Sequence, residues 1–209
     1  MKGTEIIDDL FEKYPALETC RNDIINAIDE ITSCYNNKGK LLLCGNGGSC
    51  ADADHIVGEL MKSFEKKRPI DSELEKNLNT TERGKYISEK LQNALPAISL
   101  NAHSSLYSAI SNDIDSNLVF AQQIVGYGNP GDIIITISTS GNSQNVVDAA
   151  ITAKAKGLKV VGLTGESGGK IKEFCDITIR VPASSTPEIQ ELHLPVYHTI
   201  CKYIEDEFF

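Results

Sequence analysis

Short apolar runs separated by longer amphipathic stretches recur along the chain. The runs are Leu41-Leu42-Leu43, Pro96-Ala97-Ile98-Ser99-Leu100, Ile133-Ile134-Ile135-Thr136-Ile137, Lys159-Val160-Val161-Gly162-Leu163 and Ile177-Thr178-Ile179-Arg180-Val181. Each is a few residues long, aliphatic or β-branched, and bounded by turn formers. This predicts strands near 40–44, 96–100, 132–137, 159–163 and 177–181. Between them the spacing is helical, over about 48–64, 103–111, 115–127 and 143–156, with a short helix near 170–174. Residues 3–36 read as two helices parted near Tyr14-Pro15. Ile24, Ile25, Ala27, Ile28 and Ile31 share one helical face there, which covers its own sheet or packs on another subunit. Thr186-Pro187 opens a last helix that runs to about Asp206, with Thr186 as N-cap and Pro187 at the first position. Apolar strands alternating with helices predict an α/β fold, three layers deep, with a five-stranded parallel sheet buried on both faces. At 209 residues and 41% hydrophobic, the chain reads as a single domain over 1–209.

One stretch breaks the pattern. From Lys66 to Gln92 few apolar residues occur, so 66–92 reads as a solvated surface insertion with one short helix near 85–92, or as a lid or subunit contact. Glu65-Lys66-Lys67-Arg68-Pro69, at its start, reads as part of that solvated run. The net charge of −9 argues against non-specific nucleic-acid binding, which requires Lys and Arg to neutralise phosphates. No apolar run is long enough to span a membrane, and Met1-Lys2-Gly3-Thr4-Glu5 lacks a signal-peptide core, so the expected location is the cytoplasm. The six cysteines have no CxxC spacing and read as reduced thiols in or near the core.

The chemistry concentrates at two strand-to-helix switches. Cys44-Gly45-Asn46-Gly47-Gly48-Ser49 follows the first strand, and Ser138-Thr139-Ser140-Gly141-Asn142-Ser143 follows the third. Glycines let a ligand approach the backbone, hydroxyls add donors, and a helix N-terminus favours an anion. Together they predict a site for a phosphorylated small molecule at the carboxyl ends of the strands. The second loop is the stronger phosphate cradle, and an ordinary capped turn is its plain alternative. It lacks the Gly-Lys-Ser/Thr of a triphosphate-binding loop. His55 and Glu59 are spaced i, i+4, one turn apart on one helical face. Such a pair can share a divalent metal, act as acid and base, or form a surface ion pair. Gln190, His193 and His198 lie on the last helix, whereas His103 reads as a polar residue at a helix start. Gln190 and His198 are about 12 Å apart along a straight helix. They reach one metal only if the helix bends at Pro195 or if two subunits share the site.

In order along the chain, the two loops, His55 and Glu59, Ser111-Asn112-Asp113, Leu163-Thr164-Gly165 with Gly168-Gly169-Lys170, and Ile189-Gln190-Glu191-Leu192-His193 with His198 resemble the phosphoheptose isomerases of the sugar-isomerase (SIS) domain family. The resemblance covers about residues 5–207 and implies a single SIS domain in a homotetramer with active sites between subunits. It implies a metal-dependent ketose–aldose isomerase that converts sedoheptulose 7-phosphate to D-glycero-D-manno-heptose 7-phosphate through an enediol. It implies one Zn2+ per subunit on His55, Glu59, Gln190 and His198, with Glu59 as base and His198 as acid. Substrate contacts fall on Asn46, Gly47, Gly48, Asn112, Asp113, Ser138, Thr139, Ser140, Ser143 and Gln190. Where the pattern expects an arginine four residues after the ligand glutamate, this chain has Ser63 with Lys62 beside it, and Pro187 replaces a polar residue. Two binding roles remain as alternatives, a non-catalytic relative that binds the replication initiator DnaA and a sugar-phosphate sensor. If the 138–143 loop grips phosphate and the 46–49 loop touches the sugar end, their separation should match a seven-carbon sugar phosphate.

Overall fold

The computed structural model describes residues 3–209. Five strands, β1 (Leu41–Gly45), β2 (Ala97–Ser99), β3 (Ile133–Ile137), β4 (Lys159–Thr164) and β5 (Ile177–Arg180), form one sheet in the order β2-β1-β3-β4-β5. Every pairing is parallel, and β1 and β3 are direct neighbours, with Leu41 beside Ile133 and Gly45 beside Ile137. Successive strand side chains point to opposite faces, so a strand buried on both sides must be apolar throughout. Leu41 and Leu43 enter one core with Ile133, Ile135 and Val161, and Leu42 and Cys44 enter the other with Ile134 and Val160.

Helices cover the two faces. On one lie α1 (Gly3–Lys13), α2 (Arg21–Asn36), α3 (Gly48–Met61) and α9 (Thr186–Phe208); on the other lie α6 (Ser104–Asp113), α7 (Val119–Tyr127) and α8 (Gln144–Ala155). The α2 face bearing Ile24, Ala27, Ile28 and Ile31 covers this chain's own sheet. A 3-10 stretch, Pro15–Cys20, joins α1 to α2. Ser185, outside the helix, is the N-cap of α9, so Thr186 is its first residue and Pro187 its second.

The insertion contains two helices where the apolar pattern predicts one. α4 (Ser72–Leu78) starts where the Asp71 carboxylate accepts the Leu74 N–H, and α5 (Glu82–Lys90) where the Thr81 hydroxyl accepts the Gly84 N–H. Side-chain caps start both helices without an apolar face to announce them. The strands and the other helices lie within a few residues of their expected places.

Arg68 departs most from the sequence reading. Within a run of charges it reads as solvated, yet it is 1% exposed. Its guanidinium donates to the carbonyls of Leu60 (2.7 Å) and Glu59 (2.8 Å) and to the Glu205 carboxylate on α9 (2.8 Å). Glu205 also accepts the backbone N–H groups of Phe64, Glu65 and Lys66. The last turn of a helix leaves carbonyls without intrahelical partners. Arg68 takes two of them, which ends α3 at Met61, ahead of the expected Phe64.

Removing the guanidinium would leave Glu205 charged and buried. Arg68→Met is therefore expected to lower stability by about 3–5 kcal/mol in urea unfolding. Burial alone would raise the Glu205 carboxyl, but the N–H groups of Phe64 and Glu65, Arg68, and the Lys66 N–H outweigh it and hold it below the ordinary 4.5. A folded value below the unfolded one stabilises the chain fully above the unfolded value. The wild-type urea midpoint should therefore fall as the pH drops from about 4.5 through the lower folded value, and Arg68→Met should flatten that slope.

Candidate active site

Two parallel helices build the site. Gln190 of α9 lies against Gly48 at the start of α3, and seven residues later Tyr197 and His198 lie against His55. On α3, Asp52, His55 and Glu59 are three and four residues apart and so share a face. His55 Nε2 is 3.2 Å from Glu59 Oε1, and the Lys62 ammonium is 3.1 Å from Glu59 Oε2. The His198 ring stands edge-on to His55, with centroids 4.9 Å apart, and is flanked by Tyr197 and Phe64. Burial, with His55 next to it, holds the His198 imidazole below its ordinary 6.5, so it is neutral at neutral pH. Its Nε2 is buried without a hydrogen-bond partner among the described residues.

Two imidazoles and a carboxylate are suited to zinc, and an orphaned imidazole nitrogen fits a ligand role. Gln190 stays at the first turn of α3, nearly two turns before His55, and α9 is helical straight through Pro195. Among the described residues, no group of three or more His, Cys, Asp or Glu is arranged within the single chain to hold a metal ion. The donors are right in kind and incomplete in one chain.

The 138–143 loop lies at the carboxyl end of β3. Ser138 Oγ and Ser143 Oγ are 3.3 Å apart, and Ser143 precedes α8 without spending its hydroxyl on the helix N–H groups. The loop is braced from behind: the Gly165 N–H donates to Thr139 O, and the Ile171 N–H to Gly141 O. Gly141 has φ +65°, and a Cβ there would strike the backbone of Gly168 and Gly169. The face of the loop carrying Thr139, Ser140 and Asn142 opens on a hollow also lined by Gly165, Glu166 and Ser167.

The first glycine-rich loop is tied to the start of α8, just beyond the second loop. Asn46 and Asn145, at the start of α8, exchange reciprocal amide hydrogen bonds of 2.8 and 2.9 Å. The loops leave adjacent strands, β1 and β3. Asn112 and Asp113 are exposed at the end of α6, hydrogen-bonded to each other, and form no hydrogen bond with α3 or α9 among the described residues. Gly47 (φ +56°) precedes α3, and His103 caps α6. His193 lies fully buried on α9, where burial pushes its imidazole down to about 4, so it is neutral.

Sequence reasoning missed Asn101, whose amide pairs with both backbone groups of Gly45 and pins the end of β1. It also missed Asp52, Tyr197, Arg68 and Glu205. The position of Asp52, three residues before His55, was a readable signal. The other three carry no local signal, because their partners are distant in the chain.

Comparison with known proteins places this geometry. The SIS domain family model matches residues 13–93 and 87–165. The phosphoheptose isomerase of Nitratiruptor sp. is 41% identical over 95% of this chain and 92% of its own length. That of Rhodospirillum rubrum is 38% identical over 91% and 88%. The chain belongs to the phosphoheptose isomerase family. Solved structures of family members agree: the phosphoheptose isomerase of Francisella tularensis superposes with a TM-score of 0.75 at 30% identity, covering 99% of this chain and all of that one. That of Neisseria gonorrhoeae gives 0.73 at 33%, covering 92% and 91%. As a member of the phosphoheptose isomerase family, the chain has the single SIS domain and the enzyme class that its motifs imply. Among the described residues, no helix is long and apolar enough to cross a membrane.

Gly141→Ala tests the loop. An alanine there meets both positive φ and the Gly168–Gly169 backbone, so a loss of about 1–3 kcal/mol is expected. Affinity for a sugar phosphate should fall with it, as read by thermal melting with and without ligand.

Proposed function

We propose that this protein interconverts sedoheptulose 7-phosphate and D-glycero-D-manno-heptose 7-phosphate. The observation that carries the reading is the convergence of His55, Glu59 and His198 between α3 and α9, in a chain 38–41% identical to phosphoheptose isomerases. A binding protein has no use for a carboxylate and two imidazoles set against one another. That favours turnover over the DnaA-binding and sensing alternatives.

The phosphate sits in the 138–143 loop, where Ser138, Thr139, Ser140 and Ser143 and the α8 N-terminus supply donors. Asn46, Gly47 and Gly48 line the path of the sugar chain, and Asn112 and Asp113 contact substrate in the assembled protein. Glu59 removes a C1 proton next to the C2 carbonyl, and His198, a neutral imidazole, supplies the proton at the neighbouring oxygen. Return of a proton from Glu59 to C2, with passage of the C1 hydroxyl proton back to His198, completes the aldose and restores both groups.

His55, Glu59, Gln190 and His198 would hold a zinc ion, one per subunit. Bound zinc polarises the carbonyl and stabilises negative charge on the oxygens. The separation of Gln190 from the other donors supports a site completed between subunits of a homotetramer. The protein works in the cytoplasm, where its phosphorylated substrate is expected.

Glu59→Gln should keep the fold and lower kcat by about 10²–10⁴, followed as aldose formation from sedoheptulose 7-phosphate. Chelation should abolish turnover in the wild type, and added Zn2+ should restore it. A chelator-treated enzyme with full turnover would remove the metal from this reading, and an unimpaired Glu59→Gln would remove the base.

A further inference from the structure

We infer that Tyr197, backed by Asp52, is a positioning residue that fixes which nitrogen of His55 carries the proton and so presents His55 Nε2 as a free lone pair toward Glu59. The Tyr197 hydroxyl donates to Asp52 Oδ1 at 3.3 Å and stands 3.0 Å from His55 Nδ1. An ionised carboxylate only accepts hydrogen bonds, so the hydroxyl proton is committed to Asp52. The Tyr197 oxygen then faces His55 as an acceptor, and His55 Nδ1 is the donor. A neutral imidazole with its proton on Nδ1 carries its lone pair on Nε2, which lies 3.2 Å from Glu59 Oε1. Two acceptors face each other across that gap, a place for a cation or a shared proton.

Packing enforces the arrangement. Tyr197 is 3% exposed, and its ring stands edge-on to both His55, with centroids 5.5 Å apart, and His198, 5.0 Å apart. Among the described residues, the other Asp52 oxygen is buried with no hydrogen-bond partner, and the hydrogen bond to that carboxylate comes from the Tyr197 hydroxyl. Groups behind a metal-binding histidine usually set its tautomer and orientation, and their loss commonly costs 10–100-fold in affinity. A phenol between the imidazole and a carboxylate performs that task here and ties the α3 pair Asp52 and His55 to α9.

The link to zinc rests on the proposed function, whereas the tautomer assignment does not. The test therefore uses full-length protein in two states. Metal-free, 15N–1H correlation spectra of the histidine rings should show His55 protonated at Nδ1 in the wild type and a mixture of tautomers in Tyr197→Phe. The phenylalanine keeps the ring packing and removes only the hydroxyl. With Zn2+ under a competing chelator, affinity should fall 10–100-fold in Tyr197→Phe. In turnover, kcat should fall with KM for the sugar phosphate unchanged. Asp52→Asn keeps an acceptor for the phenol and should give a smaller loss, and it also carries the test if Tyr197→Phe misfolds. An unchanged His55 tautomer together with unchanged zinc affinity in Tyr197→Phe would overturn the inference. A wild type that shows the Nδ1-protonated form but binds no zinc would overturn the metal reading and leave the positioning role standing.

Discussion

A buried ion pair, Arg68 with Glu205, holds α3 and α9, and with them the proposed reacting groups, in register. Its guanidinium closes the end of α3 by taking the carbonyls of Glu59 and Leu60, and its carboxylate partner sits on α9, seven residues beyond His198. Both helices could pack on the sheet by their apolar faces alone, through Ile56 and Leu60 on one and Val196 and Ile200 on the other. Apolar burial is non-directional, however, and tolerates sliding. The five hydrogen bonds that this pair makes to backbone groups do not, because each displaced partner would leave a polar group unpaired. The backbone carbonyl of the proposed base is itself one of the acceptors. The insertion leaves and rejoins the domain at the same place, where the Asn93 N–H donates to Arg68 O. Its two helices can therefore vary without moving the site.

Magnitudes explain why so much of the chain is spent on placement. A positioned acid or base contributes about 10²–10⁴-fold, or roughly 3–5 kcal/mol. Orientation of reacting groups is worth up to about 7–11 kcal/mol. Geometry thus outweighs proton transfer, and the structure is consistent with that. The 138–143 loop is braced by hydrogen bonds from Gly165 and Ile171, the first glycine-rich loop is tied to the start of α8 through Asn46 and Asn145, and the α3–α9 junction is clamped at its far end. On the proposed reading, grip on a remote phosphate orients the other end of the sugar.

The fold was legible wherever apolar spacing carries the information. All five strands, the parallel sheet and the main helices follow from runs such as Ile133–Ile137 and from glycine and proline boundaries. The two loops, His55 and Glu59 were readable because their chemistry is local, a few residues apart at strand ends or on one helical face. Arg68, Glu205 and Tyr197 were not, because each acquires its role from a partner some 140 residues away. In Glu65-Lys66-Lys67-Arg68 nothing local distinguishes the buried cation from its solvated neighbours. Helices α4 and α5 were half-legible, since Asp71 and Thr81 are good caps but no apolar stripe follows them. The link from the first loop to the start of α8, Asn46 with Asn145, was not legible either, because the two residues are 99 apart in the chain.

On the proposed reading, this junction moves a proton between neighbouring carbons of a ketose phosphate by way of an acid and a base. Running the wild-type reaction in D2O for many turnovers and examining the aldose by NMR tests it most directly. Solvent deuterium is expected at C2 of the product. An aldose that still carries only protium at C2 after many reversible turnovers would show that no exchangeable acid–base pair handles the proton, and would contradict it.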